Sequence, residues 1–240
     1  MGIRNLGGTA RTAVRNAALA AFGVALTVGL ATGFAHAAAQ SRDDATGARM
    51  YGDPAAAAPY WAQQSLDDCG LMAAADVIGQ LTHRVVSEQE IIAVARRMPS
   101  RVHPGPVYTP PTDENDVNHT GQGTEPADLP VLLARYGISA ALVNGGDLDA
   151  LEHYLVAGHK VIAGVNAELI WGIPVETKDT GGNPAADHAV VVTGVDTASG
   201  KVHINDSAVP QGKDETVPIE VFVQAWATSS GAMIVTAATA

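Results

Sequence analysis

Gln63-Gln64-Ser65-Leu66-Asp67-Asp68-Cys69-Gly70-Leu71-Met72-Ala73-Ala74-Ala75-Asp76-Val77-Ile78-Gly79 is the stretch that decides the fold, and it carries the chain's single cysteine. A polar run gives way to small and apolar residues without a proline, the pattern of a helix buried on most sides. Asp67 or Asp68 is placed to cap its N-terminus. Cys69 then falls in the first helical turn, where unpaired N–H groups and a partial positive charge favour a thiolate. Gly70 leaves the thiol accessible, and the alanines at 73–75 let the helix pack deeply between lobes.

Working outward, the first residues read as an export signal. Arg4, Arg11 and Arg15 form a basic leader, an uncharged apolar stretch follows, and Phe34-Ala35-His36-Ala37 has the small-x-small form of a signal-peptidase site. The expectation is a signal peptide over 1–37 and a secreted protein, extracellular or in the cell envelope. Left uncleaved, the same stretch is long enough to act as an anchor. A lone thiol in an exported chain has no internal disulfide partner, so it is either a buried filler or a reactive group. Removal of the leader takes away three arginines and no acid, moving the net charge from −11 to −14. Such an acidic chain is not expected to bind nucleic acid or to associate stably with anionic membrane once cleaved.

Residues 38–58 are polar and then alanine-rich, and are expected to form a flexible arm before a single domain at 59–240. Ser87-Glu88-Gln89-Glu90 is a capping box for a helix to about Met98. Five prolines and three glycines mark 99–123 as an irregular insertion. Thr124-Glu125-Pro126 opens a helix closed at Gly137, and Asp147 caps another over about Leu148–Val156. The period then changes. Lys160–Asn166, Ala189–Val195, Lys201–Asn205, Thr216–Ile219 and Met233–Thr236 read as strands, with a short helix near Val221–Trp226. Helices first and strands second give an α+β domain with a mostly antiparallel sheet.

The strands bring a base. If Val195 pairs with Lys201 across the Asp196–Gly200 turn, His188 faces Ala208 and Val190 faces Asp206. His188 and Asp206 are then diagonal neighbours on one face of the hairpin; a one-residue bulge in the turn would break that geometry. A thiol, an imidazole and a carboxylate to orient it are the parts of nucleophilic catalysis. An amide from Gln63 or Gln64, with the Cys69 N–H, would hold the developing oxyanion. Each residue alone also fits an ordinary role: Cys69 in a core, His188 at a strand start, Asp206 in a turn, Gln63 on the surface. Cysteine, histidine and acid in this order, each in the right local structure, favour the catalytic role.

Gln63-x4-Asp68-Cys69-Gly70, a helix of small residues, His188 before a valine strand, and a strand ending in Asp206 resemble the bacteriocin-processing cysteine peptidase family and its stand-alone relatives. These belong to the papain superfamily. The resemblance implies a papain-like fold, with an N-terminal helical lobe and a C-terminal antiparallel sheet lobe. It implies Cys69 as nucleophile, His188 as base, Asp206 as orienting acid and, by the six-residue spacing, Gln63 as oxyanion donor. Two features depart from the family: Ser207 stands where a proline is usual, and the 99–123 insertion is unusual. The family's leader peptidases cut after a double glycine while joined to an exporter. A chain with a signal peptide and no transporter domain does not inherit that substrate.

The expected protein is thus a monomeric cysteine peptidase acting on a peptide or protein, with no cofactor. Acyl transfer, cell-wall amide hydrolysis and an inactive binding module are the alternatives. No histidine pair has metal-ligand spacing, and Asp113–Asp116 lacks the glycine and glutamate of a calcium loop. Asn118-His119-Thr120 is a glycosylation sequon without meaning in most bacteria.

Overall fold

The computed structural model describes residues 49–112 and 121–238. The expected signal peptide at 1–37, the start of the expected arm at 38–48, the acidic run at 113–116 and the sequon at 118–120 lie outside the described residues. The chain runs through β1 (Met50–Gly52), α1 (Pro54–Ala57), α2 (Cys69–Thr82), α3 (Glu88–Ala95), α4 (Leu129–Ala134), β2 (Ala140–Val143), α5 (Leu148–Val156), β3 (Val161–Val165), α6 (Ala167–Trp171), β4 (His188–Asp196), β5 (Lys201–Asn205), β6 (Glu215–Pro218), α7 (Ile219–Ala227) and β7 (Met233–Thr236). The strands form one antiparallel sheet in the order β2-β7-β3-β4-β5-β6, and β1 pairs with the far end of β4. This is the expected α+β class.

Strands β3 and β4 are buried on both faces, so they read as apolar runs rather than alternating ones. One face, with Ile162, Val191 and Ile234, packs against α2, α3 and α4. The other, with Val161, Val190, Val192 and Ile204, packs against α5 and α7. Helix α2 lies close because its small residues leave room. A Cβ added at Gly79 would sit 2.6 Å from the Tyr60 ring.

Two helix starts match their sequence signals, whereas the helix expected from Thr124-Glu125-Pro126 begins as a 3-10 turn at Pro126–Asp128 and is α-helical only over Leu129–Ala134. Asp147 accepts the Ala150 N–H at 2.9 Å, and Ser87 Oγ accepts the Glu90 N–H at 3.2 Å. The capping box is only half made, because the Glu90 carboxylate turns to the Arg84 guanidinium at 2.8 Å instead. Helix α3 also ends at Ala95, earlier than expected, and turns carry the chain on to Met98.

The flexible arm needs correction over 49–58. Its residues Met50–Gly52 pair with Gly194–Asp196, and α1 follows with Asp53 accepting the Ala56 N–H. Strand β2 and helix α6 were also missed from sequence. The hairpin register is off by one at its turn and right at its open end. Asp196, not Val195, faces Lys201, and a bulge at Thr193 restores the expected pairing, with Val192 opposite Ile204 and Val191 opposite Asn205.

Candidate active site

Cys69 is the first residue of α2, half-buried, and its thiol reaches the His188 imidazole. Asp68 holds the N-cap position through its backbone: its carbonyl accepts the N–H groups of Leu71 at 2.9 Å and Met72 at 3.0 Å. The expected side-chain cap is absent. The Asp68 carboxyl instead turns inward and is 2% exposed. Gly70 is buried as well; a Cβ there would meet Thr124 at 3.4 Å, so its small size admits Thr124 rather than solvent.

His188 opens β4 opposite Val165. Its Nε2 lies 2.8 Å from Asp206 Oδ1, and both side chains are buried. With Nε2 engaged, Nδ1 is the ring nitrogen left for the thiol. Burial alone would lower the His188 pKa, but the Asp206 carboxylate and the thiol override it and hold it well above 6.5. Burial likewise would raise Asp206. His188, the Trp171 indole and the Ala208 N–H more than offset that, and its pKa is lowered from 3.8.

Asp206 is held from every side. Trp171 Nε1 donates to Oδ2 at 2.9 Å, and the Ala208 N–H donates to Oδ1 at 2.8 Å. Trp61 Nε1 donates to its carbonyl at 2.7 Å, and its own N–H donates to the Gly212 carbonyl at 2.8 Å. The Trp171 ring also stands 5.6 Å from the His188 ring, tilted by 55°. Sequence reasoning missed Trp171 and Gly212, which come from other turns of the chain with no local signal.

The two glutamines separate. The Gln64 amide is committed: Nε2 donates to the Leu66 carbonyl at 2.9 Å, and Oε1 accepts from Ser207 Oγ at 2.7 Å. The Gln64 N–H also donates to the Ser207 carbonyl at 2.9 Å. Ser207, which departs from the usual proline, thus ties the segment before Cys69 to the end of β5. Gln63 is exposed. Beside Cys69 and His188 lies a mostly apolar cavity of about 40 Å³ lined by Thr124, Leu129, Ile162, Ala189 and Ile234.

The chain matches the Peptidase_C39 like family over residues 55–234. Uncharacterized proteins of Mycobacterium tuberculosis and Mycobacterium bovis are 54% identical to it over 219 residues, 88% of this chain and 94% of theirs. Among solved structures, a C39-like peptidase from Bacillus anthracis superposes with a TM-score of 0.57 at 19% identity. The match covers 80% of this chain and 99% of that one. At that identity the likeness speaks for the fold.

Proposed function

The chain belongs to the Peptidase C39-like family, and from that premise we propose that it is a secreted cysteine peptidase with Cys69 as nucleophile, His188 as base, Asp206 as orienting acid and Gln63 as oxyanion donor. The observation that carries this reading is the buried 2.8 Å pair of His188 and Asp206 beside a half-buried thiol at a helix start. Nucleophile, base and orienting group then stand in hydrogen-bonding sequence.

In this mechanism His188 takes the Cys69 proton, and the sulfur attacks the scissile carbonyl. The negative oxygen is met by the Cys69 N–H and the Gln63 amide. Collapse expels the amine, which takes the proton from His188, and leaves a thioester. A water deprotonated by His188 then releases the acid and frees the thiol. Asp206 keeps Nε2 protonated and steadies the imidazolium throughout. Secretion is supported by the basic leader, the apolar stretch and the Ala35-His36-Ala37 site.

Alkylation by iodoacetamide at pH 6 tests the thiol. Cys69 should react far faster than a free thiol, whose pKa is about 8.5, and His188→Ala should abolish the advantage. Cys69→Ala should fold normally and turn over no peptide. A thiol silent at pH 6 would point to a binding module. N-terminal sequencing of the protein from culture medium should begin at Ala38 or close after it; a chain retaining Arg4 would end the cleaved-leader reading.

A further inference from the structure

Asp68 is a buried acid that the triad does not use. Among the described residues neither of its carboxyl oxygens meets a hydrogen-bond donor from another residue. Its neighbour is Glu88, the first residue of α3, within reach for a carboxyl–carboxylate hydrogen bond. Glu88 is well supplied. Its Oε1 accepts the N–H of Ser65 at 2.6 Å and of Leu66 at 3.2 Å, and its Oε2 accepts from Ser65 Oγ at 2.7 Å. Two ionised carboxylates repel at such range, whereas one proton between them makes a strong, charge-assisted bond. Glu88 has donors and a helix N-terminus to support negative charge. Asp68 is cut off from solvent and, its own backbone N–H aside, has no donor among the described residues, so the proton belongs on Asp68.

We propose that Asp68 and Glu88 share one proton and act as a positioning pair, holding the Gln63–Cys69 segment so that the thiol meets His188 and Gln63 faces the oxyanion. The segment is then fixed at two ends, to Ser207 through Gln64 and to α3 through Ser65, Leu66 and Asp68. The part concerning the oxyanion rests on the peptidase reading; the placement of the thiol does not.

The pair is sensitive to alkali. The titratable groups around Asp68 are Glu88 from α3, Asp67 in its own segment, Tyr108 from the 99–123 insertion, and Cys69. Among the described residues no cation is one of them. Tyr108 is kept neutral by burial first and by these carboxylates second. Burial, then Glu88 and Asp67, push the Asp68 pKa up to about 8. Above that the pair carries two charges, and one of them adjoins the thiolate.

The test uses the full chain and the pH dependence of two rates: alkylation of Cys69 by iodoacetamide, and turnover of a peptide. Asp68→Asn keeps a neutral donor toward Glu88 and cannot ionise. It should stay within about threefold of wild type at pH 6 and lack the fall expected of wild type near pH 8. Asp68→Leu removes the bond and should lower kcat by about tenfold or more at every pH, with KM little changed. A profile for Asp68→Asn that superposes on wild type, or a loss as deep as that of Asp68→Leu, overturns the pair. Alkylation reads the thiol alone. A chain that alkylates as expected but cleaves no peptide therefore keeps the pair and loses the peptidase reading. Carbon-13 NMR of the aspartate carboxyls in the wild-type chain needs no variant. One carboxyl should titrate near pH 8, and its absence would also overturn the pair.

Discussion

Gln63 and Gln64 are adjacent residues with different work. The Gln64 amide is used up in holding Leu66 and Ser207, while the Gln63 side chain is exposed and its amide has no hydrogen-bond partner among the described residues. An oxyanion donor acts in the transition state, so Gln63→Ala should lower kcat by about 10²–10³ with little change in KM. Gln64→Ala should cost about 1 kcal/mol of stability and much less rate. Both variants assayed on one peptide decide it, and a crippled Gln64→Ala with a healthy Gln63→Ala would reverse the assignment. The His188–Asp206 pair has a pH signature of its own. The pKa of His188 is raised, so its contribution to stability is full below about 6.5 and is lost as pH rises through the folded value. Asp206 is lowered, so its contribution is full above about 3.8 and is lost as pH falls through its folded value. The gap in melting temperature between wild type and Asp206→Asn should therefore be widest between those limits and should narrow toward alkaline pH. A gap that widens above neutrality would contradict the ion pair. Cys69, His188 and Asp206 were legible because each stands at the edge of a regular element. Trp171 was not, since it reaches Asp206 from a helix too short to show a period, and Asp68 was misread because a capping acid and a buried acid look alike in sequence.

Among the elements, the hairpin β4–β5 shows how a partly wrong expectation reached the right site. The register assumed from the turn put His188 and Asp206 on one face, but the turn is one residue shorter than assumed and β4 carries one residue more. The bulge at Thr193 absorbs it, where β4 changes neighbour from β3 to β1. The turn after β5 is less forgiving. A Cβ built on Gly212 would lie 1.8 Å from the Asp206 carbonyl oxygen and 3.1 Å from its Cβ. The Gly212 carbonyl also accepts the Asp206 N–H. Gly212→Ala must therefore push the Asp206 backbone away from His188. The expected cost is about 2–3 kcal/mol in urea unfolding. Turnover should fall by about 10²-fold, since an orienting group moved by an ångström no longer serves. A variant with wild-type kcat would mean that the turn relaxes without moving the carboxylate.

At the scale of the whole molecule, the two packed faces of the sheet meet the site from different directions. Cys69 arrives on α2 from the face packed with helices α3 and α4, whereas His188 opens β4 and Asp206 directly follows the end of β5. The fold class was legible from the change of hydrophobic period. The segment 49–58 was not, because a three-residue strand has no alternation to read and owes its existence to a distant partner. That segment is nonetheless joined to the chemistry. Gly52, at φ +89°, lies so close to β4 that an added Cβ would meet the Thr193 carbonyl oxygen at 2.4 Å, and Pro54 packs against Gly194. The Ala57 carbonyl accepts from Asn205 Nδ2 at 3.4 Å, and the same amide donates to Asp76 at 2.7 Å, one residue before Asp206. A chain begun at Arg49 keeps β1, α1 and the support of Asn205, and is the reference for melting temperature and kcat. A chain begun at Pro59 loses β1, α1 and the support of Asn205, and should melt roughly 6–12 °C lower, the equivalent of about 3 kcal/mol in a domain of this size. Its kcat should fall as well, because Asn205 and Asp206 adjoin in the chain and the first can no longer hold the second at its place beside His188. Equal melting temperatures for the two chains would make the segment an ornament. A lower melting temperature with unchanged kcat would confine its role to stability and separate Asn205 from the triad.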